Sequence, residues 1–258
     1  MNKLNMSLIA VLFFTNIAHA ADASWETLSV DDGFTTQRKV VPGSDMFAFR
    51  GEMVTDVSIA ELMTVFLDTD RRKDWVDKFE SSSDLSADGE FSKTYYIRFN
   101  LPYPITDRDY VLSAVGKIDD ANRVVTTLIK SVDHQKAPVD DCCVRANALG
   151  TFYRFAQLPN GKTKLEVEVH TDPKGNLPSW LVNIIQKSWP RKTLQALVRE
   201  AKKAGIPKHA TFAHWDAPTV NPTLIAKEPK AEPATASAEK ASAAEPANDA
   251  SEAPAQAN

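Results

Sequence analysis

The chain is predicted to fold as an α+β domain in which a long C-terminal α-helix covers the dry face of an antiparallel β-sheet, and a curved sheet gripping a helix in this way can enclose an internal hydrophobic cavity. Three observations predict it. Thr163, Leu165, Val167 and Val169 alternate with Lys164, Glu166, Glu168 and His170, the period-2 pattern of a strand with one dry face. The turn residues Asp172-Pro-Lys-Gly-Asn-Leu-Pro178 follow, and from about Ser179 to Ala204 the residues Leu181, Ile184, Ile185, Leu194, Leu197, Val198 and Ala201 fall mostly on one helical stripe that can cover that face. The elements run strands, helix pair, strand meander, final helix, with no βαβ alternation, so a parallel nucleotide-binding sheet is not supported.

Taken in order, the chain opens with Met-Asn-Lys, an apolar run from Leu8 to Ile17 and the small-x-small triplet Ala18-His19-Ala20. Residues 1–20 are read as a secretory signal that is removed on export to the periplasm. The run is shorter than the roughly 20 residues a membrane-spanning helix needs. No cysteine follows the expected cut, so a lipoprotein is not expected. Trp25 to Val41 reads as an extended segment broken by the turn Asp31-Asp32-Gly33, and Met46 to Val54 as a strand after Pro42-Gly43-Ser44. Ser58 is the N-cap of a helix, with Glu61 as its capping-box partner and Ile59, Leu62, Met63, Phe66 and Leu67 at helical spacing.

A short helix over about Arg71 to Phe79 puts Trp75 and Phe79 on one face, and Ser81 to Gly89 reads as a polar turn. Thr94 to Leu101, Asp109 to Val115, Arg123 to Val132 and Cys143 to Leu158 then read as successive antiparallel strands. Asn160-Gly161 predicts a two-residue hairpin turn with both central residues at positive φ. The folded domain is assigned to residues 21–212 and a disordered tail to residues 213–258. From Ala226 onward the tail is Ala, Glu, Pro, Lys and Ser without large apolar residues, too little to offset its conformational entropy.

The formal charge is −4; without the leader and the tail, the folded part sits near −2. No basic stripe is available for phosphates, so no nucleic-acid partner is expected. Arg71-Arg72-Lys73 is flanked by Asp68, Asp70 and Asp74 and reads as a solvated helix face. Cys142 and Cys143 are adjacent, and in an extended strand they would point to opposite faces. Free thiols with one of them buried are therefore preferred, with a vicinal bond and an intermolecular bridge left open.

Catalytic machinery is absent by motif: no Gly-x-Ser-x-Gly elbow, no His-Glu-x-x-His and no Gly-rich phosphate loop occurs. No catalytic residue, cofactor or metal is assigned. Of the histidines beyond the leader, His170 falls on a polar strand face, while His209 and His214 sit five apart and offer at most a weak metal site. Asp107-Arg108-Asp109 is read as pinning the turn after Pro104. Arg98, within Tyr95-Tyr96-Ile97-Arg98-Phe99, either faces solvent or holds a ligand head group from inside.

Three stretches resemble the START domains, lipid-binding modules of the helix-grip fold, over nearly all of residues 25–206. They are Asp70-Arg71-Arg72-Lys73-Asp74-Trp75, Pro104-Ile105-Thr106-Asp107-Arg108-Asp109-Tyr110-Val111, and Asp172 to Asn183. The resemblance implies an interior tunnel for one lipid or similar hydrophobic molecule, with the last helix and a nearby loop as a lid. Ligand contacts are expected from Tyr95, Arg98, Phe99, Tyr110, Leu112 and Leu128 on strands and from Leu181, Ile184, Ile185 and Ser188 on the helix. Pro190 suggests a kink that serves as a hinge.

Sterol-binding members of that family bury a carboxylate and an arginine on neighbouring strands. The matching positions here hold Tyr95 and Ala114, which leaves acyl chains, other apolar molecules, or a ring system held by tyrosine hydroxyls. The expected activity is binding, and transfer or sensing, of a lipid by an exported, non-enzymatic monomer with transient membrane contact. The alternatives are a polyketide cyclase or aromatase-like enzyme using the same cavity, and an interaction module in which the cavity is vestigial and Trp180 and Trp189 form a partner surface.

Overall fold

The computed structural model describes residues 24–216; the expected leader and all but the first four residues of the expected tail lie outside the described residues. The order is β1 (Glu26–Asp31), β2 (Phe34–Lys39), β3 (Ala48–Thr55), α1 (Ile59–Leu67), α2 (Arg72–Trp75), β4 (Phe79–Ala87), β5 (Ser92–Phe99), β6 (Arg108–Asp119), β7 (Val124–Ser131), β8 (Val144–Arg145), β9 (Asn147–Gln157), β10 (Thr163–Asp172) and α3 (Ser179–Ala201), then a 3-10 turn over Ala210–Asp216. One curved sheet runs β1-β2-β3-β10-β9-β7-β6-β5-β4. Every pairing along that path is antiparallel, and the short β8 pairs in parallel with β6.

The alternation read in β10 holds: Thr163, Leu165, Val167 and Val169 are buried, and α3 crosses that face. The approach is tight at Gly51 on β3. A methyl group there would meet Phe34 Cζ at 2.6 Å and Pro190 Cβ at 2.7 Å. Pro190 is thus where the helix seats on the sheet, and α3 runs unbroken through it. Gly51→Ala is expected to destabilise the fold by about 1–3 kcal/mol, the range for overpacking. The measurement is urea unfolding; an unchanged midpoint would show that helix and sheet are not held this closely.

Ser58 caps α1 in a complete capping box, its hydroxyl accepting from the Glu61 N–H and the Glu61 carboxylate accepting from the Ser58 N–H. The helix buries Ile59, Leu62, Met63 and Phe66, and the Phe66 ring meets Tyr153 at 5.0 Å and Phe155 at 5.1 Å.

Several expectations are corrected. The second helix stops at Trp75, and Phe79 begins β4. The serine-rich segment expected as a turn is that edge strand, bonded to β5 alone and bulged twice. It carries few apolar residues because only part of one face is covered, so backbone pairing places it where side-chain pattern is silent. The β9–β10 turn has Gly161 but not Asn160 at positive φ, with Gly161 N–H donating to Leu158 C=O; Pro159 favours this type I geometry. The single strand expected over Cys143 to Leu158 divides into β8 and β9.

Cys142 and Cys143 form a vicinal disulfide. The opposite-face argument assumed a strand, but both residues lie in the bend before β8. The packed chain also passes residue 212: Phe212 and Trp215 are 0% and 1% exposed. Residues 213–216 therefore belong to the domain rather than to the tail. His209 N–H donates to Ala60 C=O, and the Pro207 C=O accepts from the Thr64 hydroxyl, so this segment is laced to α1.

Candidate functional site

Between the concave face of the sheet and the first half of α3 lies a pocket of about 350 Å³. Its walls follow the two-residue strand period. Lys93, Tyr95, Ile97 and Phe99 of β5 and Arg108, Tyr110, Leu112 and Ala114 of β6 point inward, and these are cross-strand partners from Lys93↔Ala114 to Phe99↔Arg108. A bulge in the β9–β10 pairing, between His170 and Thr171, lets both Ala148 and Thr151 face the pocket. Val182, Ile185, Gln186 and Trp189 close it from α3, and Phe66 and Trp75 from the helices before β4. Gln186 ties helix to sheet by donating to Thr171 C=O at 2.9 Å.

Of the ten expected contact residues, seven line this pocket: Tyr95, Phe99, Tyr110, Leu112, Ile184, Ile185 and Ser188. Three do not. Arg98 lies between Ile97 and Phe99, so strand alternation turns it outward, where it pairs with Asp107 at 2.6 Å. Leu128 is outward for the same reason and 42% exposed, while Thr127 and Ile129 face in. Leu181 is half-buried in the first turns of α3 without reaching the pocket wall. Ile184 sits at the rim and is 59% exposed.

The polar groups gather at two ends. At one, Arg72 is buried with its guanidinium 3.9 Å from the centre of the Tyr95 ring and donates to Ser82 Oγ at 2.7 Å, with an Asp84 carboxylate oxygen 3.8 Å away. Lys93 beside it donates to Thr69 Oγ1 at 2.7 Å and lies 3.4 Å from Asp84. Burial, and then the nearby Arg72 charge, pull the Lys93 pKa down. Arg72 corrects the reading of a solvated basic face. The missed signal is its three-residue spacing from Trp75, which puts both on the buried side of a single turn.

At the other end, Arg108 is 4% exposed and donates to the carbonyls of Pro173, Thr106 and Lys174. It pins the segment before β6, as expected, and also the loop leading into α3. Its neighbours pair outside: Asp107 with Arg98, and Asp109 with Arg145 through two bonds of 3.1 and 2.9 Å. The backbone N–H of Leu101 and then Arg98 hold the Asp107 carboxyl below the usual range. Burial pushes up the hydroxyl pKa values of Tyr95, Tyr110 and Tyr153, keeping the three phenols neutral.

Among the described residues, no histidine or cysteine lines the pocket. His209 and His214 face different carboxylates, Glu90 at 3.4 Å and Asp120 at 2.9 Å. Among the described residues, Asp140, Cys142 and Cys143 bring potential metal ligands within 4.8 Å of one another, but the two sulfurs are bonded together.

A model of the START domain matches residues 13–200. An uncharacterized protein of Pseudomonas aeruginosa is 26% identical over 202 residues, covering 78% of this chain and 98% of its own. The phosphatidylcholine transfer protein of Rattus norvegicus is 22% identical over 180 residues, 69% of this chain and 83% of that one. Among solved structures, human StAR-related lipid transfer protein 5 superposes with a TM-score of 0.64 at 18% identity, over 71% of this chain and 88% of its own. The STAR-related lipid transfer protein from Xanthomonas axonopodis gives 0.61 at 20%, over 69% and 99%. These two share the fold.

Proposed function

The chain belongs to the START domain family, and on that premise we propose that it holds one lipid or similar hydrophobic molecule in the pocket beneath α3 and carries or senses it without converting it. The observation that carries this reading is the pocket wall itself. Aromatic and aliphatic side chains occupy consecutive inward positions of β5 and β6, and charge is confined to the two ends and the rim. Moving a lipid chain of roughly 16 methylenes into water costs on the order of 13 kcal/mol at about 0.8 kcal/mol each. An enclosed apolar wall recovers most of that and needs few polar contacts.

The relative named as a phosphatidylcholine transfer protein supports a lipid as the class of ligand. Trp189 is part of the pocket wall rather than of an outer partner surface. We further infer export to the periplasm, supported by the leader pattern of residues 1–20 and by a disulfide suited to an oxidising compartment. Transient membrane contact fits the exposed Trp180 and Ile184 on the first turns of α3 and Tyr103 on the β5–β6 loop, since exposed aromatic and aliphatic groups at a pocket rim suit a lipid interface.

The test is native mass spectrometry of the full chain as secreted, followed by organic extraction of what it releases. A stoichiometric lipid is the expected result. A ligand-free protein that also takes up no added fatty acid, phospholipid or sterol would sink the reading.

A further inference from the structure

The pocket has a cation at each end, and the two ends differ in how their charge is balanced. Lys93 and Phe99 are the ends of its β5 wall, six residues or roughly 20 Å apart at about 3.4 Å per residue. At the Lys93 end, Lys93 and Arg72 share the Asp84 carboxylate. At the Phe99 end stands Arg108, with no carboxylate in ion-pair contact among the described residues. Its hydrogen-bond partners are all neutral carbonyls, which take three of its five N–H groups and leave one on each terminal nitrogen, together with the charge. Asp107 and Asp109, the carboxylates on either side in sequence, are already engaged by Arg98 and Arg145. A guanidinium this buried is costly to keep unless an anion joins it, and burial already draws its pKa down.

We propose that Arg108 is the seat of an anionic head group, so that the pocket selects lipids whose polar end is a carboxylate or a phosphate. This rests on the lipid-binding reading above and adds the charge of the ligand and its orientation, with the head at the loop before α3 and the chain running toward Tyr95 and Tyr153. The planar fork of the guanidinium suits the paired oxygens of either group. Arg108 and Gly175 are closely apposed, since a methyl group on Gly175 would lie 3.2 Å from Arg108 Nη2. The seat is therefore roofed by the loop that leads into the helix.

The experiment measures binding of palmitate against hexadecanol, and of dipalmitoyl phosphatidate against dipalmitoylglycerol, to the full chain and to Arg108→Gln. The wild-type chain is expected to prefer the anionic member of at least one pair by roughly 10–100-fold, the equivalent of one charge-assisted hydrogen-bonded contact. The pair showing the preference identifies carboxylate or phosphate. Arg108→Gln is expected to bring that ratio near one while hexadecanol or dipalmitoylglycerol still binds. Should the Gln variant fail to fold, Arg108→Lys keeps the charge without the fork and should retain a preference. Equal wild-type binding within both pairs, a preference unchanged in Arg108→Gln, or a preference lost in a Lys variant that still binds the neutral lipid would overturn the seat. Binding of none of the four lipids would instead remove the lipid-binding reading beneath it.

Discussion

Trp215→Ala is expected to lower the unfolding free energy by about 3–5 kcal/mol, the range for removing a fully buried aromatic side chain. Trp215 is 1% exposed, and its ring meets Phe212 at 5.1 Å, which in turn meets Phe91 at 5.6 Å. Its indole N–H donates to Asp120 in the β6–β7 turn, and its carbonyl accepts from Arg123 at 2.8 Å. The indole, then His214, hold the Asp120 carboxyl below the usual carboxylate range. Truncating the indole therefore opens a cavity and strips a carboxylate of a donor in one change. Urea unfolding followed by tryptophan-independent circular dichroism is the measurement. A loss below about 1 kcal/mol, the usual effect of a surface substitution, would show that residues 210–216 rest on the domain without completing its core.

Ala148→Trp should abolish lipid uptake while leaving the fold standing. Ala148 is a small inward residue of β9, paired with Thr171 of β10 in the pocket wall, so an indole there fills the space a ligand chain needs. Displacing about four methylenes costs about 3 kcal/mol, or roughly 100-fold in affinity. The overpacking penalty of about 1–3 kcal/mol is falling on a wall that borders open volume, so the variant should still unfold cooperatively. Lipid co-purification and palmitate binding read the first effect and thermal unfolding the second. Undiminished uptake in a folded variant would mean that the ligand sits elsewhere.

Much of this architecture was legible because it is local. The Ser58–Glu61 box, the alternation from Thr163 to Val169 and the Gly33 turn depend on residues a few positions apart, and each appears as read. Seven of the positions named from inward strand sites and the α3 stripe likewise line the pocket. Leu128 was misplaced, and Arg98 was left open between solvent and pocket, although the sequence already held the answer: they stand at odd offsets from Ile129 and Tyr95, and a strand cannot turn neighbours to one face. The edge strand β4 was not legible, because its backbone bonds to β5 leave little mark on side-chain pattern. Nor was the disulfide, because its geometry depends on a bend rather than on the strand assumed for it.

By itself the sequence determined the order of elements apart from β4 and the β8–β9 division, most of their periodicities, the START resemblance and the broad chemistry of an apolar interior. The tertiary structure alone decided which charges enter that interior. Arg72 lies over Tyr95, 23 positions away in the chain, and Arg108 is held by the Pro173 carbonyl, 65 positions away. Whether a cation is solvated or buried depends on the rings and carbonyls that distant segments bring to it, and only strand register and helix docking supply those.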